Sequence, residues 1–142
     1  MDAMPVKTVF LNVKSGPDMD IIDITGKVAD AVAASGLKDG VVSVFVPGST
    51  GSVSTMEYEP NLKQDIVRAI ERIAPSGMEY EHHKTWGDRN GKSHVRATLL
   101  GPGTVVPFKD GKLMLGTWQQ IVLMDFDVPA RSREVVVQIV GE

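Results

Sequence analysis

The part of the chain that most restricts the fold is its C-terminal stretch. Thr104–Phe108, Leu113–Leu115, Trp118–Phe126 and Glu134–Val140 alternate apolar with polar residues or run apolar, as does Val95–Leu100 before them. Side chains leave a strand on opposite faces in turn, so this spacing predicts strands. Asp110-Gly111 supplies two residues that tolerate positive φ, the strongest short hairpin signal. Pro129 and the arginines flanking Ser132 mark a last turn. Strands joined by short turns pair with their neighbours, so a long antiparallel meander is expected.

The N-terminal part is different. Val6–Val13 is a strand with Val9, Leu11 and Val13 on one face, and Ser15-Gly16-Pro17-Asp18 is turn chemistry. A short strand at Ile21–Ile24 follows. Thr25 is the expected N-cap of a helix to Ala34, with Val28, Ala29, Val32 and Ala33 inward and Gly36 where a C′ glycine stops it. Val41–Val46 and Val53–Tyr58 are strands around a Gly/Ser/Thr turn. Pro60 opens a second helix, whose Leu62, Ile66, Ala69, Ile70 and Ile73 are expected in the core, and Pro75 ends it. Helices between these strands leave room for mixed pairing. The expected fold is a β-rich α+β single domain over residues 1–142. It has a large, mostly antiparallel, sandwich-like sheet with two packed helices.

Composition narrows the function classes. A chain of 142 residues is ample for one core. A net charge of -3 with no basic stripe argues against nucleic acid. Cysteine is absent, which excludes disulfides, thiolate metal sites and a cysteine nucleophile, and fits a reducing, cytoplasmic compartment. Met1–Pro5 has neither the charged nor the apolar region of a leader, and no apolar run is long enough to span a membrane.

Chemistry concentrates in Tyr80–Gly101, which carries all three histidines. Lys84–Ser93 lacks apolar periodicity and reads as a polar loop. His82 and His94 bracket it; an imidazole serves as general acid or base near neutrality, or as a metal ligand. His83, next to His82, would point the other way on an extended segment. Two histidines with Glu57, Glu81 or Asp88 could hold a catalytic divalent ion, although no zinc-site spacing is present. Gly48-Ser49-Thr50-Gly51-Ser52 could form an anion-binding nest, and an ordinary polar turn fits it as well. Gln119 and Gln120 enter an apolar strand and need hydrogen-bond partners. Arg131 and Arg133 suit a phosphate or carboxylate, or ion pairs at a surface turn.

Several motifs occur together in one order. They are Pro-Gly-Ser-Thr at 47–50, Glu57 in Met-Glu-Tyr-Glu-Pro, Tyr80-x-His82, and Asn90-Gly-x-Ser-His94. Leu99-Leu100-Gly101, Val106-Pro107, Leu115-Gly-Thr-Trp-Gln119 and Arg131-x-Arg133 follow. From about Val41 to Glu142 the chain resembles the YjbQ-like family, also called the secondary thiamine-phosphate synthase family. The resemblance implies an α+β fold, commonly a homotrimer, and a polar cleft near a subunit interface. It implies a weak capacity to join hydroxymethylpyrimidine diphosphate to thiazole phosphate. Glu57, His82, His94 and Gln119 match its site positions, and Arg131 and Arg133 its late arginine pair. Many members have His-Thr-Thr where this chain has Gly48-Ser49-Thr50, which weakens a three-histidine metal site.

In the transferase reading, Arg96, Arg131, Arg133 and the Gly48–Ser52 turn hold a phosphorylated small molecule with Mg²⁺. His82, His94 and Glu57 orient it or move protons. The alternatives are a metal-dependent hydrolase with Zn²⁺ or a similar ion on His82, His94 and Glu57, and a non-catalytic binding protein for a phosphorylated metabolite.

Overall fold

A computed structural model describes residues 4–142, so Met1–Ala3 of the leader argument lie outside it. Eight strands and four helices follow in chain order. They are β1 (Val6–Ser15), β2 (Asp20–Asp23), α1 (Thr25–Ser35), β3 (Gly40–Phe45), β4 (Gly51–Met56), α2 (Pro60–Ile73), α3 (His83–Trp86), α4 (Gly91–Leu100), β5 (Gly103–Lys109), β6 (Lys112–Leu113), β7 (Gln120–Asp125) and β8 (Arg131–Gly141). The fold is α+β, as expected. The strands form a five-stranded sheet in the order β1-β8-β3-β5-β6 and a three-stranded sheet in the order β2-β7-β4. Every pairing is antiparallel, so the mixed pairing expected of the N-terminal part does not occur.

Three layers result. The inner face of the larger sheet, including Val13, Val42, Val44, Val106, Val135, Val137 and Ile139, packs on Val53, Ile121 and Leu123 of the smaller one. α1 closes this core with Val28, Ala31 and Val32, so Ala31 takes the inward place expected of Ala33. The other face of the smaller sheet presents Ile21, Val122 and Met124, followed by Phe126, to Ile70 of α2 and Ala97 of α4. β7 is therefore covered on both faces and paired along both edges. This is why its sequence runs apolar instead of alternating. Each such buried side chain contributes roughly 1.5–3 kcal/mol.

Local chemistry explains most boundaries. Lys109 pairs with Lys112 across Asp110 (φ 52) and Gly111 (φ 74), the positive-φ hairpin that the dipeptide predicted. The Glu59 carboxylate caps α2, accepting from the Asn61 and Leu62 amides, with Pro60 at the first helical position. Gly36 ends α1 in the left-handed conformation (φ 73). Thr25 lies inside α1 and is not its cap. Its hydroxyl instead accepts from the Ile121 amide at 2.8 Å and so ties the helix to β7.

Two further expectations are corrected. Val95–Leu100 belongs to helix α4 and is not a strand. Val95, Ala97 and Leu99 alternate like a strand face, but the buried positions are Ser93, Arg96 and Ala97, at helical spacing. The true inward stripe contains two polar residues, which hid its period. On α2 only Ile70 is fully buried; Leu62 and Ile66 are half-buried, and Ala69 and Ile73 are exposed. The outer face of the larger sheet is also apolar: Val6, Phe10, Val41, Phe45 and Val105 are all exposed. They stand in three cross-strand rows, from Val6–Val140–Val41–Pro107 to Phe10–Val136–Phe45–Gly103, and no position in those rows is charged.

Candidate functional site

The loop Tyr80–Asn90 is tied down at both ends. Tyr80 is buried, and its hydroxyl donates to the Pro75 carbonyl at 2.7 Å; burial pushes its phenol pKa up. α4 begins against the Tyr80 ring. A Cβ on Gly91 would stand 2.6 Å from Tyr80 Cβ, so only glycine allows this approach. In the same first turn α4 is pinned to the end of β7, where the Ser93 hydroxyl donates to the Phe126 carbonyl. The segment expected as one loop contains α3, a single helical turn over His83–Trp86, which leaves 87–90 as the connection to α4.

This frame brings His82 and His94 together. Their ring centroids lie 4.6 Å apart at 60°, edge toward face. Asp88 Oδ1 stands 3.8 Å from His82 Nε2. The Asn90 amide, with its nitrogen turned to the surrounding acceptors, donates to Asp88 Oδ1 at 2.8 Å and to His82 Nε2 at 3.2 Å. Of the carboxylates that could accompany the two histidines, the fold brings Asp88 to His82, while Glu81 pairs with Lys84. The segment is helical and not extended, but His83 still leaves His82 and packs edge-on against Tyr80 with centroids 5.6 Å apart. Both of its ring nitrogens are buried without a hydrogen bond.

The residues named for anion binding divide. Arg96 is not available to a ligand. It is buried under the end of α2, where Nε and Nη2 donate to the Ala74 carbonyl at 3.1 and 2.8 Å and Nη2 reaches Glu71 at 2.8 Å. Glu71 is held below the usual carboxylate range, first by the Ser76 amide and hydroxyl and further by Arg96, against the opposing effect of burial. Arg131 is half-exposed and pairs with the buried Asp127 at 2.6 Å.

Arg133 is fixed most firmly. Nε and Nη2 donate to the two oxygens of Asp125, each at 2.8 Å, and Nη2 also donates to the Thr50 hydroxyl at 2.7 Å. Ser15 donates to the same carboxylate. Burial alone would raise the Asp125 pKa, but bonds from Arg133, Ser15 and the Asp127 amide outweigh it and hold the carboxyl low. The pairing in turn raises the Arg133 pKa. One edge remains: Nη1 faces Gly48, where an added Cβ would come within 3.4 Å of it. Gly48 has a φ of 113, and Ser49 beside it is exposed. An anion could be met here, at the Gly48–Thr50 turn.

Sequence reasoning missed Ser15, Asp125 and Asp127. The available signal was two carboxylates at the end of an apolar strand, which must be paired if buried, with an Arg-x-Arg segment following within a few residues.

Glu57 and Gln119 lie elsewhere. β4 and β7 pair from Gly51–Asp125 to Met56–Gln120. Phe126 and Ser93 sit at the first end, with His94 adjoining, while Glu57 and Gln119 sit beyond the second. Five residues of strand separate these ends by roughly 17 Å. One chain therefore does not bring Glu57 and Gln119 to its own His82 and His94. Gln119 accepts from the Gly116 amide at 3.0 Å and donates to Thr55 at 3.2 Å. Gln120 accepts from the Tyr58 amide at 2.8 Å, and Glu57, Tyr58, Trp118 and Gln120 line an open cleft of about 420 Å³.

Among the described residues, no three histidine or carboxylate side chains converge to hold a metal ion. The rings of His82 and His94 meet edge to face, and His82 Nε2 is engaged by Asn90. The donor set within one chain does not fit a catalytic zinc site, which takes three protein ligands. Among the described residues, no helix is long and apolar enough to cross a membrane.

Comparison with known proteins places this geometry among relatives. The profile of the family described as "UPF0047 protein YjbQ-like" matches residues 10–142. A UPF0047 protein of Archaeoglobus fulgidus is 41% identical over 128 residues, which cover 90% of this chain and 97% of the relative. Another, from Methanocaldococcus jannaschii, is 32% identical and covers 96% of this chain and 97% of its own. Of solved structures, a YbjQ-like protein of unknown function from Sulfolobus solfataricus superimposes with a TM-score of 0.93 at 34% identity, covering 99% of this chain and 100% of that one.

Proposed function

The chain belongs to the YjbQ-like UPF0047 family, and we propose that it is a transferase of the secondary thiamine-phosphate synthase type, acting in the cytoplasm. The C–O bond of hydroxymethylpyrimidine diphosphate breaks, and its electron pair leaves with pyrophosphate. The thiazole phosphate nitrogen donates its lone pair to the exposed methylene carbon, and the product is thiamine phosphate. The observation that carries this reading is the His82–His94 pair, two imidazoles 4.6 Å apart with Asp88 and Asn90 beside one of them. Such a pair can hold the oxygens of a departing diphosphate and move a proton to them. The Ser93–Phe126–Thr50 hydrogen bonds link its helix to the turn that Arg133 Nη1 faces, which suits the anionic end of the substrate.

The catalytic unit in this proposal is a homotrimer. Two features support assembly: the three uncharged rows on the outer face of the larger sheet with Phe10 and Phe45 exposed, and the distance from the histidine pair to Glu57 and Gln119. A neighbouring copy would bring its Glu57 and Gln119 to this chain's His82 and His94. The test is to incubate the protein with both precursors and Mg²⁺ and measure thiamine phosphate. Product formation that falls to background in His94→Ala supports the reading, and no product above that control rejects it. Binding of the precursors without turnover would identify a binding protein instead. Mixing inactive His94→Ala with inactive Glu57→Ala should restore part of the activity if subunits share the site. Light scattering should give three times the 15.4 kDa chain mass.

A further inference from the structure

We propose that Asn90 is a positioning residue that sets which nitrogen of His82 carries the proton. Asn90 occupies the N-cap position of α4, where an asparagine ordinarily turns its side chain back onto the first amides of the helix. Here it makes no such bond; the Ser93 and His94 amides go to its backbone carbonyl only. The side chain is directed instead at Asp88 and His82, with its nitrogen 2.8 and 3.2 Å from the two Asp88 oxygens and 3.2 Å from His82 Nε2. The opposite orientation would set a carbonyl oxygen against a carboxylate and a ring nitrogen, so Asp88 determines which way the amide faces. Asp88 itself stands 3.8 Å from Nε2, beyond hydrogen-bond reach, so its hydrogen-bonded link to His82 runs through Asn90.

An amide nitrogen has two hydrogens. One goes to Asp88 and the other to His82 Nε2, which must then be an unprotonated acceptor. The neutral ring carries its hydrogen on Nδ1, and among the described residues Nδ1 makes no hydrogen bond within the chain. Nδ1–H is thus the group left to meet a substrate oxygen beside His94. The sequence Asp88-Arg89-Asn90 makes this possible because Arg89 adopts a φ of 57, which folds the short connection so that both side chains face His82.

This role rests on reading His82 as a working group of the proposed site, but its measurement needs no substrate. Long-range ¹H–¹⁵N spectra of the labelled protein at about pH 8.5, where an ordinary imidazole is neutral, report the tautomer directly. His82 is expected as the Nδ1–H form in the native protein. It should shift toward the Nε2–H form that an unrestrained imidazole prefers in Asn90→Ala and Asn90→Ser. Serine can restore the missing helix cap, so Asn90→Ser should melt no lower than the native protein while still losing the tautomer. Its transferase kcat should fall on the order of tenfold, less than on removal of the imidazole, with little change in KM. An Nε2–H form in the native protein, or an unchanged tautomer in both variants, overturns the positioning role and leaves the transferase reading standing. The correct tautomer with no thiamine phosphate does the reverse.

Discussion

Two polar clusters sit at the same end of β7, and they are opposites in how their charges are used. Around Arg133, two carboxylates and two guanidiniums are buried or half-buried and paired with one another, with Ser15 and Thr50 taking up further bonds. Around His82, the side chains are partly exposed, and the imidazoles keep donors or acceptors unspent. The first cluster holds strands together; the second can exchange its partners for a ligand's. A charged residue inside this fold is therefore informative about chemistry only after its internal partners have been subtracted. That subtraction removes Arg96, leaves Arg133 a single free edge and leaves the histidine pair intact.

Substitutions should separate the two clusters by stability and by activity. Arg133→Met leaves Asp125 buried without its main partner, which should cost roughly 3–5 kcal/mol in urea unfolding. A loss under about 1 kcal/mol would mean that water reaches the cluster, and that the contrast with the histidines is overstated. Arg96→Met leaves the Ala74 carbonyl unsatisfied and should cost about 1–3 kcal/mol while sparing turnover; a matching loss of activity in the folded variant would return Arg96 to the site.

Acid should act on the Arg133 cluster. The Asp125 pKa is lowered on folding, so its contribution is fully present above the unfolded carboxylate value of about 4 and is lost as pH falls through the folded value. Stability of the native protein should therefore decline steeply below about pH 4, and the decline should be shallower in Arg133→Met; equal slopes would show that other carboxylates govern it. His94→Ala should change stability least, within about 0.5 kcal/mol, while lowering turnover on the order of a hundredfold or more.

The sandwich was legible in the sequence wherever one physical signal acted alone. Alternation in β1, Asp110-Gly111 in the hairpin and Pro60 at the start of α2 each had no competitor. α4 was not legible because its buried stripe contains Ser93 and Arg96, whose burial depends on the Phe126 and Ala74 carbonyls far away in the chain. The site followed the same rule. His82 and His94 stood out by residue type, whereas the choice of Asp88 over Glu57 depended on a fold in which β4 carries Glu57 to the far end of β7.

β7 has one further consequence. Its six residues, from Gln120 to Asp125, are clamped on two faces and two edges, so the strand can neither stretch nor shift register without opening both cores at once. Its amides should be among the last to exchange with solvent, at a free energy close to that of global unfolding. In mechanical terms it is a rigid spacer, with the histidine pair near one end and Glu57 and Gln119 beyond the other. Such a spacer holds the separation of these two groups constant within the chain.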